Sequence, residues 1–225
     1  MSFELDHFFV FTKPGAPEIE QLLTLGLTEG TSNTHPGQGT ANRRIFFHNA
    51  MLEFLWVCNE QEIHDPVIEP MQFGARSRYH QTGFSPFGIG LRSASTTNSS
   101  SCSLPVDTWQ YCPPYLPNSL HFEIVSTHSV EPLIFLIPFS QTRPDRLPLD
   151  SRQPINHLNP LLEITNINIV LPSVESCSQA IQVFEQSNFL SLMSGKEHLA
   201  DIEFDYQIQK QMVDFRPSLP LRFFY

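Results

Sequence analysis

The sequence predicts an α+β fold built from a repeated strand–helix–strands unit. Nineteen prolines in 225 residues favour many turns and short strands over long helices. Short runs rich in aromatic and β-branched residues recur along the chain, as in strands. The segments that begin at Asp6 (DHFFVFTKP) and Thr165 (TNINIVLPS) show the same strand-to-helix pattern 159 residues apart, which indicates an internal repeat.

Composition and charge exclude several classes of protein. Hydrophobic residues make up 40% of the chain, which is typical of a globular protein and not of a disordered one. A net charge of −10 without a Lys/Arg cluster argues against nucleic-acid binding. The N-terminus lacks a basic region with a cleavage site, and no apolar run reaches the roughly 18 residues of a membrane span. Four irregularly spaced cysteines indicate free thiols in a reducing compartment, so we expect a soluble cytoplasmic protein; they are Cys58, Cys102, Cys112 and Cys177.

The first segment predicts a strand, a helix and two or three further strands. Residues 3–12 form the first strand, and the helix begins near Pro17 and ends near Gly26. Residues 28–42 are turn-rich and form a loop or a broken strand. Alternation in the first strand places four side chains on one face: Leu5, His7, Phe9 and Phe11.

The later segments are read in the same way. Residues 58–83 are polar and irregular and are interpreted as a linker, and residues 105–118 are too rich in proline for a helix. The serine-rich residues 93–103 predict an exposed loop. Ser173 is positioned to cap a helix that carries Cys177. Further strands are predicted at residues 87–92, 120–125, 132–139, 164–172, 189–193, 199–206 and 219–225.

One acidic residue stands out in the segment Arg43–Val57, RRIFFHNAMLEFLWV. The segment predicts a hairpin that turns at Asn49-Ala50. Glu53 lies in a run that is apolar on both faces, and such strands are usually covered on both faces. An ionised carboxylate is costly there unless a cation, a hydrogen-bond donor or a metal meets it.

The partner of Glu53 has three interpretations. A turn at Asn49-Ala50 pairs Phe46 with Glu53, with Arg44 and His48 as diagonal neighbours on the same face. A three-residue loop would shift the register by one and replace Arg44 by Arg43. An arginine ion pair, a metal ion and a polar network all remain open.

Two other stretches carry candidate chemistry. His7 is either a satisfied core histidine or a ligand, and an imidazole beside a carboxylate suits Zn, Ni, Fe or Mn. Residues 35–44, HPGQGTANRR, match neither a phosphate loop nor a dinucleotide fingerprint. Asn42 and Arg43 could present an amide and a guanidinium to an anionic ligand, or the segment could be a capped turn with a solvent-facing arginine.

These motifs together resemble the glyoxalase-like domain of the vicinal oxygen chelate superfamily. The resemblance is carried by DHFFVFT with its following helix, by GTANRR, and by the strand MLEFLWV. It extends to SPFGIGLR, to EPLIFLIPF and to the final strand–helix unit after His157. The resemblance implies βαβββ modules with mixed sheets curled around a cavity and helices outside. The modules would cover residues 1–58, 84–140 (a degenerate copy) and 161–225.

The resemblance also implies a metal site. In the superfamily a histidine of the first strand and a glutamate of the last strand of each module hold the metal, and His7 and Glu53 match these positions. The equivalent positions elsewhere do not match, since they carry Phe87, Ile134 and Asn166, and the closing strand LRFFY has no glutamate. A third ligand would have to be His157, His48 or His121, or water.

Two functions follow as expectations. The first is a metal-dependent lyase, isomerase or dioxygenase that acts on a small oxygen-rich metabolite. In it His7 and Glu53 are catalytic, His157 completes the metal site, and the substrate is oriented by Asn42, Arg43 and Arg44. The second is a metal-free protein that binds or sequesters a small molecule in the same cavity. Superfamily members often pair modules between chains, so a homodimer is an alternative to a cavity closed within one chain.

Overall fold

The computed structural model has a mixed α/β fold with two mixed β-sheets and a few short helices. Among the described residues, none of the helices has the length and hydropathy that crossing a bilayer requires. The structure describes residues 3–94, 104–139, 142–172, 178–184 and 189–225.

The first module has the predicted order of a strand, a helix and three strands. Its helix is shorter than predicted and buries Ile19 and Leu22 against the core. The elements are β1 (Phe3–Phe11), α1 (Ile19–Thr24), β2 (Asn33–His35), β3 (Thr40–Phe46) and β4 (Met51–Val57).

The segment between the first and second modules is structured, so its interpretation as a linker is wrong. It forms four short helical turns, and the first three each place an apolar side chain in the front cluster: Ile63, Met71 and Phe73. Because these side chains are spaced irregularly, no helical stripe is visible in the sequence. The turns are 3₁₀ helices at Glu62–His64 and Glu69–Met71, followed by α2 (Phe73–Ser77) and α3 (Tyr79–Thr82).

The second module consists of strands alone in its described part. The proline-rich residues 105–118 contain no helix, as predicted, but they do contain a strand. Most of the serine-rich segment, with Cys102, lies outside the described residues. The strands are β5 (Phe87–Ser93), β6 (Thr108–Tyr111), β7 (Phe122–Val125) and β8 (Leu133–Leu136).

The third module follows a connector that has 3₁₀ turns at Pro144–Arg146 and Leu149–Ser151. The predicted helix is present and buries Ile181 and Phe184. Its proposed cap, Ser173, and Cys177 lie outside the described residues. The elements are β9 (Ile164–Pro172), α4 (Gln179–Phe184), β10 (Leu190–Gly195), β11 (Leu199–Phe204), a 3₁₀ turn (Asp205–Gln207), β12 (Met212–Asp214) and β13 (Leu221–Phe224).

The first two modules form one symmetric sheet. Its strand order is β2-β3-β4-β1-β5-β8-β7-β6, with β1 and β5 antiparallel at the centre. In each half the first strand pairs in parallel with the last strand of its own module. The first and second modules are therefore copies of one pairing pattern.

The third module differs from the first in its pairing. Its sheet has the order β10-β9-β11-β13-β12, and β9 pairs in parallel with β10, the strand directly after the helix. In the first module the strand after the helix, β2, lies at the far edge of the sheet instead. The repeat seen in the sequence thus covers the strand and helix but not the strand order.

The central strands of the large sheet are covered on both faces. The back face shares one hydrophobic core with the second sheet, α1 and α4, and the rings of Phe47 and Phe204 lie 4.8 Å apart in it. The front face carries a second cluster with the helical turns of residues 62–77. Both-sided burial explains why β4 is apolar on both faces. A sheet therefore covers the back, where the resemblance implies helices alone.

Asn49 connects the hairpin turn between β3 and β4 to the second sheet through two hydrogen bonds. Its side-chain amide donates to the Ile164 carbonyl at 2.7 Å and its oxygen accepts from the Ile164 N–H at 3.0 Å. One side chain thus replaces a backbone pair at the start of β9.

Replacing Asn49 by alanine is expected to lower the free energy of unfolding by about 1–3 kcal/mol. The substitution leaves a backbone donor and acceptor of Ile164 without partners. Urea unfolding followed by circular dichroism measures the loss. Asn118→Ala, at an exposed position, is the matched control and is expected to change stability by less than about 0.5 kcal/mol. Equal free energies of unfolding for Asn49→Ala and Asn118→Ala would contradict a stabilising role for the two hydrogen bonds of Asn49.

Candidate functional site

A β-bulge in β1 brings two polar side chains to the front face. Leu5 pairs with Leu91 and His7 with Gly90, so Asp6 is an extra residue in the ladder. Asp6 and His7 both line the front pocket, while Leu5 turns into the back core. The sequence prediction that placed Leu5 on the face of His7 is therefore wrong, because a bulge interrupts the alternation.

The register of the β3–β4 hairpin differs from the predicted one by two residues. Arg44, and not Phe46, lies opposite Glu53. The connection is a four-residue loop over residues 47–50, closed by a 2.8 Å bond from the Phe47 N–H to the Ala50 carbonyl. A shift of two residues preserves the faces, so Asn42, Arg44 and Glu53 still project to the front.

A polar network meets the carboxylate of Glu53, which is only 6% exposed. Asn42 Nδ2 donates to Glu53 Oε1, and His7 Nε2 lies 3.4 Å from Glu53 Oε2. The amide oxygen of Asn42 accepts from the Asn33 N–H at 2.8 Å, which fixes the amide nitrogen towards Glu53. Arg44 makes no ion pair with Glu53 among the contacts of the described residues, so of the three interpretations the polar network, and not the arginine pair, describes these contacts.

Three neighbours hold the ring of His7. Its Nδ1 lies 2.9 Å from Asp6 Oδ1, and its ring packs edge-on against Phe135 at 5.4 Å. Gly90 leaves room for the ring, since a Cβ there would lie 2.5 Å from His7 Cε1. Burial lowers the pKa of His7, but the Asp6 hydrogen bond and the charges of Glu53 and Asp6 outweigh burial and raise it.

A buried arginine, Arg92, lies behind the contacts that join Asp6, His7 and Glu53. Arg92 is 1% exposed, and its Nη1 lies 3.7 Å from Asp6 Oδ2. Its Nη2 donates to the Asn49 carbonyl at 2.7 Å and to Glu4 at 3.1 Å. Arg92 therefore connects the bulge to the hairpin turn that contacts the second sheet.

Arg44 extends into the pocket with unused donors. Its Nε donates to the Thr31 carbonyl at 2.7 Å, and its guanidinium lies 5.2 Å from the centre of the Phe46 ring. Its two terminal nitrogens make no hydrogen bond to any residue in the described part of the chain. Burial lowers the pKa of Arg44, and the charge of Glu53 acts in the opposite direction.

A chain of hydrogen bonds orients His35. Tyr111 donates to Gln38 Oε1 at 2.7 Å, and Gln38 Nε2 donates to Thr40 Oγ1 at 2.7 Å. The Thr40 hydroxyl then has its proton available for His35 Nδ1, which lies 2.8 Å away. This assignment leaves Nε2–H as the free donor of His35. Burial lowers the pKa of His35, which favours this neutral form.

The front pocket has a volume of about 590 Å³ and two unlike walls. The first module supplies the polar wall, which holds the bulge, Glu53, Arg44 and His35. The second module and the helical turns supply an apolar wall. That wall includes Met71, Phe73, Phe122, Ile124, Phe135 and Ile137. A pocket of this size and composition is typical of a site for a small organic molecule.

Arg43 does not contribute to the pocket. Strand alternation directs it towards α1, where it forms a bidentate pair with Glu29 at 2.7 and 2.6 Å and a bond to Glu20 at 2.9 Å. These acidic partners raise its pKa. The adjacent arginine, Arg44, is the one that faces the pocket.

His157 does not come together with His7 and Glu53. Its Nδ1 accepts from the Thr28 N–H at 3.0 Å, and its Nε2 donates to the Phe46 carbonyl at 2.9 Å. Burial lowers its pKa, so it is a neutral, fully bonded histidine that joins the connector to the first module. The other proposed third ligands, His48 and His121, do not line the pocket either.

Sequence reasoning missed three contributors to the site: Asp6 and His35 in the polar wall, and Arg92 behind it. Asp6 had been placed on the opposite face, and only a bulge brings it forward. His35 stood in a turn-rich segment, where a polar residue draws no attention. A signal existed for Arg92, since a charge in the strand FGIGLR is as unexpected as Glu53 is in β4.

Comparisons with known proteins bear on the fold alone. No protein-family model matches the chain, and no curated protein matches it. The chain is similar to a hypothetical protein from Staphylococcus aureus with a TM-score of 0.56 and 10% sequence identity, over 98% of each chain. A hypothetical protein from Bacillus halodurans C-125 aligns with a TM-score of 0.41 and 14% identity, over 63% of this chain and 98% of that one. The first similarity shows that the arrangement of both sheets recurs in another protein.

The pKa of His7 is expected to lie above the ordinary value of 6.5, and that of His157 below it. Such a rise stabilises the fold at acidic pH, and the stabilisation is lost as pH rises through the folded-state pKa. The ¹H–¹³C resonances of the histidine rings, followed against pH, measure both values. Glu53→Gln is expected to lower the pKa of His7 and leave that of His157 unchanged. A His7 pKa unaffected by this substitution would show that the two side chains do not interact.

Gly90→Ala is expected to displace the ring of His7 from Glu53. The new Cβ would overlap the ring, and overpacking of this kind costs about 1–3 kcal/mol. The His7 resonance should shift and its pKa should fall, with the fold retained by circular dichroism. Gly74→Ala is the control, because its Cβ meets only the ends of two flexible side chains, Ile63 at 3.0 Å and Arg78 at 3.4 Å. An unchanged His7 resonance in Gly90→Ala would contradict the packing.

Proposed function

We propose that the protein binds a small organic molecule in the front pocket without a resident metal ion. The observation that carries this proposal is that both oxygens of Glu53 have protein partners, Asn42 on one side and His7 on the other. The carboxylate therefore serves to fix the polar wall, and the open volume lies beside it. A protein that only binds or sequesters a small molecule needs no metal ion beside these side chains.

The side chains present do not fit a resident divalent ion. The described residues contain no group of three His, Cys, Asp or Glu side chains that could hold a metal. His7 and Glu53 supply two donors, and structural and catalytic zinc sites use at least three from the protein. The positive charge of Arg44 on the neighbouring strand also opposes a divalent cation there.

A metal-dependent enzyme of the glyoxalase-like class is the second candidate. The row Asp6–His7–Glu53 favours it, because metal-binding histidines usually donate their other nitrogen to a carboxylate. An ion here would have to complete its coordination from outside the chain. Zn, Ni, Fe or Mn as the ion, and a lyase, isomerase or dioxygenase reaction, follow from the sequence resemblance alone.

The symmetric strand order of the large sheet supports a glyoxalase-like origin. We infer that the two halves, β2-β3-β4-β1 and β5-β8-β7-β6, curl around the ligand, since both halves line the pocket. A cytoplasmic location and a homodimer are predictions from the sequence and its resemblance.

Metal analysis of the purified protein separates the two candidates. We expect less than one ion per chain after growth with Zn, Ni, Fe and Mn, and unchanged binding of an apolar fluorescent probe after treatment with EDTA. Glu203→Gln, a carboxylate change on the second sheet, is the control for Glu53→Gln. One ion per chain that is lost in Glu53→Gln and kept in Glu203→Gln would overturn the metal-free proposal.

A further inference from the structure

The geometry points to an organic carboxylic acid as the ligand, with its carboxylate on Arg44 and its apolar body on the opposite wall. This inference rests on the proposed binding function and names the class of molecule bound.

The charge of Arg44 has no acidic partner in the described part of the chain. Its Nε donates to the Thr31 carbonyl, and neither terminal nitrogen donates to another described residue. Other partly or fully buried arginines on the sheets have their charge matched by a carboxylate, such as Arg43 by Glu29 and Arg222 by Asp201. A guanidinium with two free parallel donors matches a carboxylate in a bidentate arrangement.

The carboxylates of the pocket already have protein partners, which reduces what they offer to a cationic ligand. Glu53 accepts from Asn42 and faces His7, and Asp6 binds His7 and lies near Arg92. An ammonium group in this pocket would instead meet the charge of Arg44, which forms no ion pair with a carboxylate of the described residues. The electrostatics of the polar wall therefore select anions over cations.

His35 supplies a second donor on the same wall. Its Nδ1 is held by the Thr40 hydroxyl, so its Nε2–H is free to donate. His35 lies opposite Thr40, four residues along β3 from Arg44, and both side chains line the pocket. A polar group of a ligand whose carboxylate is bound to Arg44 could accept from this neutral ring.

The apolar wall defines the other end of the ligand. Phe122 and Phe135 meet edge to face at 5.9 Å, and Phe9 lies 6.2 Å from Phe135. Ile124 and Ile137 complete a surface without charge. A pocket of about 590 Å³ accommodates an aromatic or medium-length alkyl body together with the carboxylate.

Three compounds with one body and different head groups test this inference: 4-phenylbutyrate, 4-phenylbutan-1-ol and 4-phenylbutylamine. Titrations monitored by NMR or calorimetry give their affinities for the full chain. We expect the acid to bind about 10- to 100-fold more tightly than the alcohol, as a charged hydrogen bond allows, and the amine to bind most weakly. Arg44→Met keeps the length of the side chain and should remove the preference for the acid while the affinity for the alcohol changes little.

Arg43→Met is the matched control, because the neighbouring arginine faces away from the pocket. It should keep the preference for the acid. Equal affinities of acid and alcohol in the unmodified protein would overturn the ligand class and leave the binding function standing. Tighter binding of the amine would do the same. No binding of any of the three compounds to the folded protein would overturn both proposals.

Discussion

The burial of one carboxylate organises the centre of this protein. Glu53 lies in the middle of a strand covered on both faces, where an unpaired ion would cost several kcal/mol. Three adjacent strands contribute to its environment: Asn42 comes from β3, His7 from β1, and Gly90 on β5 makes room for the imidazole. The bulge at Asp6 also contributes to this environment, because it places the Asp6 carboxylate on the front face beside the His7 imidazole.

The site is also connected to the far side of the molecule. Arg92 bonds to the carbonyl of Asn49 and lies beside Asp6, while the Asn49 side chain binds the first residue of β9. A single path of polar contacts therefore runs from the pocket through the large sheet to the second one. The third module, whose described residues do not line the pocket, helps to fix the pocket because it holds the hairpin turn in place.

Local sequence patterns were sufficient for the helices and most strands of the first and third modules, though not for β12, since aromatic and β-branched runs ended by proline or glycine are strong signals. They also singled out Glu53 by its isolation among apolar residues. They could not reveal the bulge, because one extra residue leaves no mark on composition but exchanges the faces of Leu5 and Asp6. The choice of Arg44 over Arg43, and the role of His35, depended on register and on hydrogen bonds between distant residues. The helical turns of residues 62–82 were hidden because the first three each bury a single apolar side chain and the fourth buries none.

The unequal walls of the pocket have a consequence for how such a protein can change over evolutionary time. Two halves with the same strand pairing have different roles, since the first supplies the charged side chains of the pocket lining and the second supplies mainly apolar and aromatic ones. Substitutions in Phe122, Ile124 or Ile137 can reshape what fits without disturbing the interlocked polar contacts. After a duplication followed by such specialisation, the half with the polar contacts tolerates few substitutions, and the apolar half tolerates more. New ligand preferences can then arise through ordinary apolar exchanges, each small in its effect on stability.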